Sequence, residues 1–141
     1  MDKALNYLGI MRKAGACAVG ETDCGSACRA GKAKLLLLAS DASENAHNRA
    51  NGFVYGRNIP LVVLPYTKME LAGRLGKGAV SMMAVYDLGF AVALMKALNT
   101  DGKYMALIAQ LEDKLEQQNK RKAEMKAHER NKKLGKRRTK A

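Results

Sequence analysis

The run LLLLA at positions 35–39 constrains the fold of this chain more than any other stretch. Five successive apolar residues are too few for a buried helix and suit a strand covered on both faces. The segment before it, GETDCGSACRAG at 20–31, reads as a turn and a short helix. Gly20 permits the turn, and Glu21 to Asp23 place polar groups where free amides open a helix over 22–30. Gly25 weakens that helix, and Gly31 closes it in the position where left-handed backbone is tolerated. With a short strand over 16–19 leading into Gly20, the result is strand, helix, buried strand, which is one unit of an alternating α/β layout.

The same alternation continues on both sides. Leu5, Leu8 and Met11 give a first helix one apolar stripe. Asp41 with Glu44 has the spacing of a capping box for a helix running to about Tyr55, and Asn58 with Pro60 leads into a strand over 61–64 that Pro65 stops. Thr67 with Glu70 forms a second box for a helix to about Leu75, broken by Gly76 and Gly78 before a strand over 81–85. Asp87 caps a helix carrying Phe90, Leu94 and Leu98. Short strands separated by helices predict a three-layer α/β/α sandwich around a small mixed sheet, in a domain of residues 1–99.

Past a hinge at Thr100, Asp101 and Gly102, residues Tyr104, Leu107, Ile108, Leu111 and Leu115 carry an apolar stripe on a further helix. The stripe then fades. Residues 120–141 hold 11 Lys and Arg against 2 Glu, so 100–141 reads as a basic helical extension ending in a tail expected to be disordered. The whole chain carries 25 basic and 13 acidic side chains, net +12, which implies a negatively charged partner. No stretch approaches the ~20 apolar residues of a membrane span, and the first residues lack a signal-peptide pattern, so a cytoplasmic protein without a membrane partner is expected. Cys17, Cys24 and Cys28 are an odd number without an export signal, which implies reduced thiols packed as small residues, and His47 and His128 do not complete a metal site.

Residues 5–98, about two thirds of the chain, resemble the kink-turn-binding ribosomal protein superfamily that contains ribosomal proteins L-seven-Ae and L-thirty-e, in particular its bacterial YlxQ-like branch. The resemblance runs in order through LNYLGIMRKAG, GETDCGSA, RAGKAKLLLLASDAS, NIPLVVL, LGKGAVSMMAVYD and LGFAVAL. It implies the same sandwich and an RNA-binding edge made by two loops. In kink-turn binders the first loop follows a glycine and presents an amide, an acid and, one helical turn on, a lysine. Those places fall here on Thr22, Asp23 and Ser26, preceded by Gly20 and Glu21. Asp23 keeps an acceptor for a guanine edge and Thr22 a hydroxyl, whereas Ser26 lacks the cation that would reach a phosphate. The second, normally apolar loop falls on Lys77, Gly78, Ala79 and Val80, and Lys68 stands where the family often carries a phosphate-contacting lysine.

Other function classes have weaker support. GETDCGS places two glycines at the spacing of a phosphate-binding loop, but Ser26 and Ala27 stand where its lysine and hydroxyl residue belong. A thiol nucleophile has no histidine placed beside it. A protein-interaction module built on Leu107, Leu111 and Leu115 has a stripe of barely three turns, too short for sustained heptads. The expectation is therefore a non-enzymatic protein that needs no cofactor and takes no small-molecule substrate. It binds structured RNA, foremost ribosomal RNA, and is monomeric when free.

Overall fold

A computed structural model describes the backbone of residues 2–76 and 78–139, and side chains as far as Asn131; Lys77 lies outside the described residues. The elements are α1 (Lys3–Lys13), β1 (Cys17–Val19), α2 (Glu21–Arg29), β2 (Leu35–Leu38), α3 (Glu44–Val54), β3 (Leu61–Val63), α4 (Lys68–Leu75), β4 (Met82–Val85), α5 (Leu88–Leu98) and α6 (Met105–Thr139). The strands form one four-stranded sheet in the order β1-β4-β2-β3. β4 runs antiparallel to both β1 and β2, while β2 and β3 are parallel. The sheet is thus mixed, and β1, β2 and β3 all end at the edge where β4 begins.

Period-two alternation divides the apolar residues between two faces. Leu35, Leu37, Met83 and Val85 face a core closed by α1, α4 and α5, whereas Leu36, Leu38, Met82 and Ala84 face α2 and α3. Leu35 to Leu38 are each fully buried, which accounts for their unbroken hydrophobicity. This is the three-layer α/β/α sandwich that the alternating pattern predicts.

Local chemistry sets most helix starts. Asp2 caps α1 by accepting from the Ala4 amide at 3.0 Å, and the Tyr66 hydroxyl beside it holds its carboxyl below the usual range. Thr67 and Glu70 form both halves of the expected capping box on α4, and Asp87 caps α5 by accepting from the Phe90 amide. Asp41 does not cap α3. Ser43 does, accepting from the Ala46 amide at 3.1 Å, and Asp41 instead accepts from the Lys68 amide at 2.8 Å. The carboxylate therefore ties the β2–α3 loop to the start of α4.

The apolar stripe after the hinge packs back on the domain: Leu111 is fully buried and Ile108 nearly so, with Leu107 and Leu115 half-buried beside them. Lys96 and Glu112 add an ion pair of 2.8 Å between α5 and α6. From 120 onward, where the sequence implies a disordered tail, the chain continues as helix to Thr139, and residues 119–131 are all exposed. Its rich content of Lys, Glu, Gln, Arg and Ala favours helix once the packed part has nucleated it.

The layer between α2, α3 and the sheet is built from small residues, among them Ala27, Cys28, Ala46 and Ala50. Gly25 belongs to this layer, and a Cβ there would stand 2.9 Å from the Phe53 ring. Gly25→Ala would gain ~1 kcal/mol of helix propensity but would displace that ring, at ~1–3 kcal/mol. Urea unfolding is expected to show Gly25→Ala destabilising in the native background and stabilising in a Phe53→Ala background. The same sign in both would show that the ring does not select glycine.

Candidate nucleic-acid interface

The strand directions bring four connections to one edge of the sheet. Gly20 donates its amide to the Met82 carbonyl at 3.0 Å, Ala39 donates to Ser81 at 2.9 Å, and Ser40 donates to Tyr66 at 2.7 Å. The starts of α2, α3 and α4 therefore gather where β4 begins, and each brings the positive end of a helix dipole. Open α/β sheets bind ligands at this end of their parallel strands.

The start of α2 differs from those around it. Its N-cap is Gly20, with φ 100 and ψ 153, and no side chain caps it, whereas side chains cap α1, α3, α4 and α5. A positive φ at that value favours glycine, and glycine leaves the first-turn amides without a side-chain acceptor. Those amides can receive an anionic or carbonyl oxygen from outside.

Thr22, Asp23 and Ser26 are all exposed. Thr22 and Asp23 stand inside the helix rather than capping it, at its second and third positions. Glu21 is partly exposed and pairs with Arg49 of α3. The sequence offers no local signal for that pair, because its partners lie 28 residues apart. Ser26 accepts from the Arg29 guanidinium at 3.5 Å. Asp23 and Ser26 share a shallow hollow with Arg12 and Lys32, so cations from other elements lie on the face where Ser26 supplies none.

The second loop divides. Gly76 terminates α4 in the left-handed conformation, φ 70, and Gly78 and Ala79 are exposed. Val80 is only 1% exposed and belongs to the core facing α1 and α4, so its side chain offers no surface in this state. Its amide donates to the Lys68 carbonyl at 3.3 Å, which returns the loop to the start of α4. Lys68 itself is half-buried, with its amide held by Asp41. The structure thus brings Gly20, Lys68 and the end of the second loop to one edge, while Val80 packs in the core and Glu21 is engaged in an exposed ion pair with Arg49.

The segment GETDCGS is helical from Glu21 onward, so its two glycines do not enclose a phosphate-binding loop. Among the described residues no cluster of three or more His, Cys, Asp or Glu could hold a metal ion. No helix there is long and apolar enough to cross a membrane.

Comparison with solved structures places this architecture among known folds. A protein of unknown function from Bacillus halodurans C superposes with a TM-score of 0.64 at 25% identity, covering 70% of this chain and 99% of that one. The Giardia lamblia 15.5kD RNA binding protein superposes with a TM-score of 0.56 at 17% identity, covering 73% of this chain and 85% of its own. The chain shares its fold with both. No protein-family model matches it, and no curated protein does.

Beneath α2, burial above all pushes the Cys24 thiol up to about 12, and its Sγ donates to the Ala18 carbonyl at 3.8 Å. Burial also raises Cys28 and the half-exposed Cys17, which nearby Arg12 partly offsets for Cys17. The thiolate is the reactive form. Native protein treated with dithionitrobenzoate at about pH 8 is therefore expected to modify Cys17 first, and Cys24 and Cys28 only on unfolding. Rapid modification of Cys24 in the folded protein would show that α2 does not stay closed over the sheet.

Proposed function

We propose that this chain is a non-enzymatic RNA-binding protein that grips structured RNA at the edge where α2, α3 and α4 begin. The observation that carries the reading is the uncapped start of α2, bare at Gly20 and flanked by exposed Thr22 and Asp23, at an edge shared with two other helix starts. The fold neighbour from Giardia lamblia is itself an RNA binding protein, which supports RNA as the partner class. The net charge of +12 supports a polyanion in general.

In this reading Thr22 and Asp23 face base edges, and the first-turn amides of α2 face a phosphate or sugar oxygen. Lys68 and Lys77 contribute charge, Gly78 and Ala79 allow close approach of the backbone, and Gly20 makes the turn. Val80 and Glu21 act by positioning: Val80 anchors the second loop in the core, and Glu21 fixes α2 against α3 through Arg49. The exposed face of α6 adds phosphate contacts that carry no sequence information. The RNA is of the kink-turn class, with ribosomal RNA the foremost source, and the protein acts in the cytoplasm as a monomer, with no cofactor and no small-molecule substrate. The resemblance to the YlxQ-like branch supports this finer assignment.

Fluorescence anisotropy with a kink-turn RNA and a scrambled RNA of equal length tests the reading. The double substitution Thr22→Ala with Asp23→Ala is expected to reduce the preference for the kink-turn by at least about fivefold, since one base-edge pairing carries ~1–3 kcal/mol of discrimination. Because neither side chain caps α2, thermal unfolding should change by less than ~1 kcal/mol. Ser26→Lys should strengthen kink-turn binding by restoring a cation to the exposed face of α2. If native protein binds both RNAs equally, and neither change alters the ratio, the edge does not read RNA.

A further inference from the structure

At the opposite end of the sheet, α6 packs against α5 and leaves a cleft of about 570 Å³ between itself and the far end of α2 and the turn after α3. One rim is fixed by Lys114, whose ammonium donates to the Asn58 carbonyl at 3.3 Å. Asn58 holds the left-handed backbone, φ 54, in the turn between α3 and β3.

Six cations line this cleft: Arg29, Lys34 and Arg57 on the domain side, and Lys114, Arg121 and Lys122 on α6. No Asp or Glu lines it, and the ion pairs found among the described residues, Glu21–Arg49 and Lys96–Glu112, lie elsewhere. Favourable interaction with helix C-termini explains part of the set. Arg29 lies in the last turn of α2, and Arg57 donates to the Phe53 carbonyl at the end of α3. It does not explain Lys34, which precedes β2, or the three cations in the interior of α6. Like charges facing one another across a cleft repel, and an anion between them relieves that repulsion.

The uncharged lining narrows the class of anion. Ile59 and Leu88 supply apolar surface inside the cleft, Met125 stands at its rim 66% exposed, and Gln117 and Gln118 offer amides. The planar guanidiniums of Arg29, Arg57 and Arg121, with aliphatic surface and side-chain amides beside them, suit bases that are unpaired and free to lie flat, with the backbone tracking the positive charge. Beyond the cleft, Lys126 and Arg130 continue the basic surface along α6, so a bound strand can run on rather than end.

We propose that the cleft between α6 and the domain is a second RNA site, which takes an unpaired strand flanking the structured element held at the opposite edge. The inference rests on the RNA-binding reading and extends it. The domain then spans its RNA, with the folded element at one end of the sheet and a single strand at the other.

The test uses the full chain and two fluorescein-labelled hairpins carrying the same kink-turn loop, one blunt and one with an oligo-uridine extension. Native protein is expected to bind the extended RNA more tightly, on the order of tenfold, with a steeper salt dependence. Lys34→Gln with Arg57→Gln, both on the domain side of the cleft, should remove that advantage and lower the salt slope by about 1.4, from two single-strand phosphate contacts, while blunt binding stays within about twofold. Lys3→Gln with Lys103→Gln removes the same net charge outside the cleft and should preserve the advantage; circular dichroism melts establish that both variants fold. Equal losses in the two variants, or no advantage from the extension in native protein that binds the blunt hairpin, would overturn the second site and leave the first standing. Native protein that binds neither hairpin would overturn the RNA-binding reading and this inference together.

Discussion

The antiparallel pairing of β4 with both β1 and β2 is the constraint on which the rest of the structure depends. Three strands point one way and one points back, so the ends of β1, β2 and β3 meet the beginning of β4 at a single edge. Everything placed there follows from that direction. The Gly20 amide reaches the Met82 carbonyl, Ala39 reaches Ser81, and the loop after α4 returns to Lys68. Without the central position of β4, the uncapped start of α2 and the second loop would belong to different surfaces. The same pairing sends the far ends of α2 and α3 to the opposite side, where they face α6 across the cleft.

Electrostatics then separates two kinds of surface on one small protein. At the edge, positive potential comes from backbone helix starts, one of them bare, joined by Lys68 and, along the exposed face of α2, by Arg12 and Lys32. At the cleft and along α6 it comes from Lys and Arg, and of the cations lining the cleft only Arg29 and Arg57 stand at helix C-terminal ends. Backbone amides are fixed in direction and suit a defined partner geometry; flexible cations suit a continuous backbone and respond more steeply to salt. Under the proposed function, that division lets the Lys and Arg of the cleft and α6 supply affinity where the first loop carries Ser26 in place of a cation. Affinity need not come from the residues that select.

What the sequence makes legible is local. The boxed start of α4 at Thr67 and Glu70, the Asp87 cap and the buried run at 35–38 are each encoded within a few residues, and each appears where its chemistry requires. The misplaced cap on α3 has a non-local cause: Asp41 and Ser43 both suit an N-cap, and the choice is made by the Lys68 amide 27 residues away, which takes the carboxylate. The role of Gly25 depends on Phe53, that of Glu21 on Arg49, and that of Val80 on the core behind α4. None of these partners is visible from spacing. The sequence marks the edge through Gly20 and its neighbours, but the cleft escapes it because the lining cations come from separate parts of the chain and converge only when α6 docks.

The central claim is that RNA meets the sheet edge rather than the basic helix alone. Amide chemical-shift mapping by nuclear magnetic resonance, during titration with a kink-turn hairpin at moderate salt, tests this most directly. The account expects the largest changes at Gly20, Glu21, Thr22 and Asp23, with further changes at Lys68, Gly78 and Ala79, persisting as salt is raised. Changes confined to residues 119–131 of α6 and abolished by salt, with the Gly20 and Thr22 amides unmoved, would contradict it.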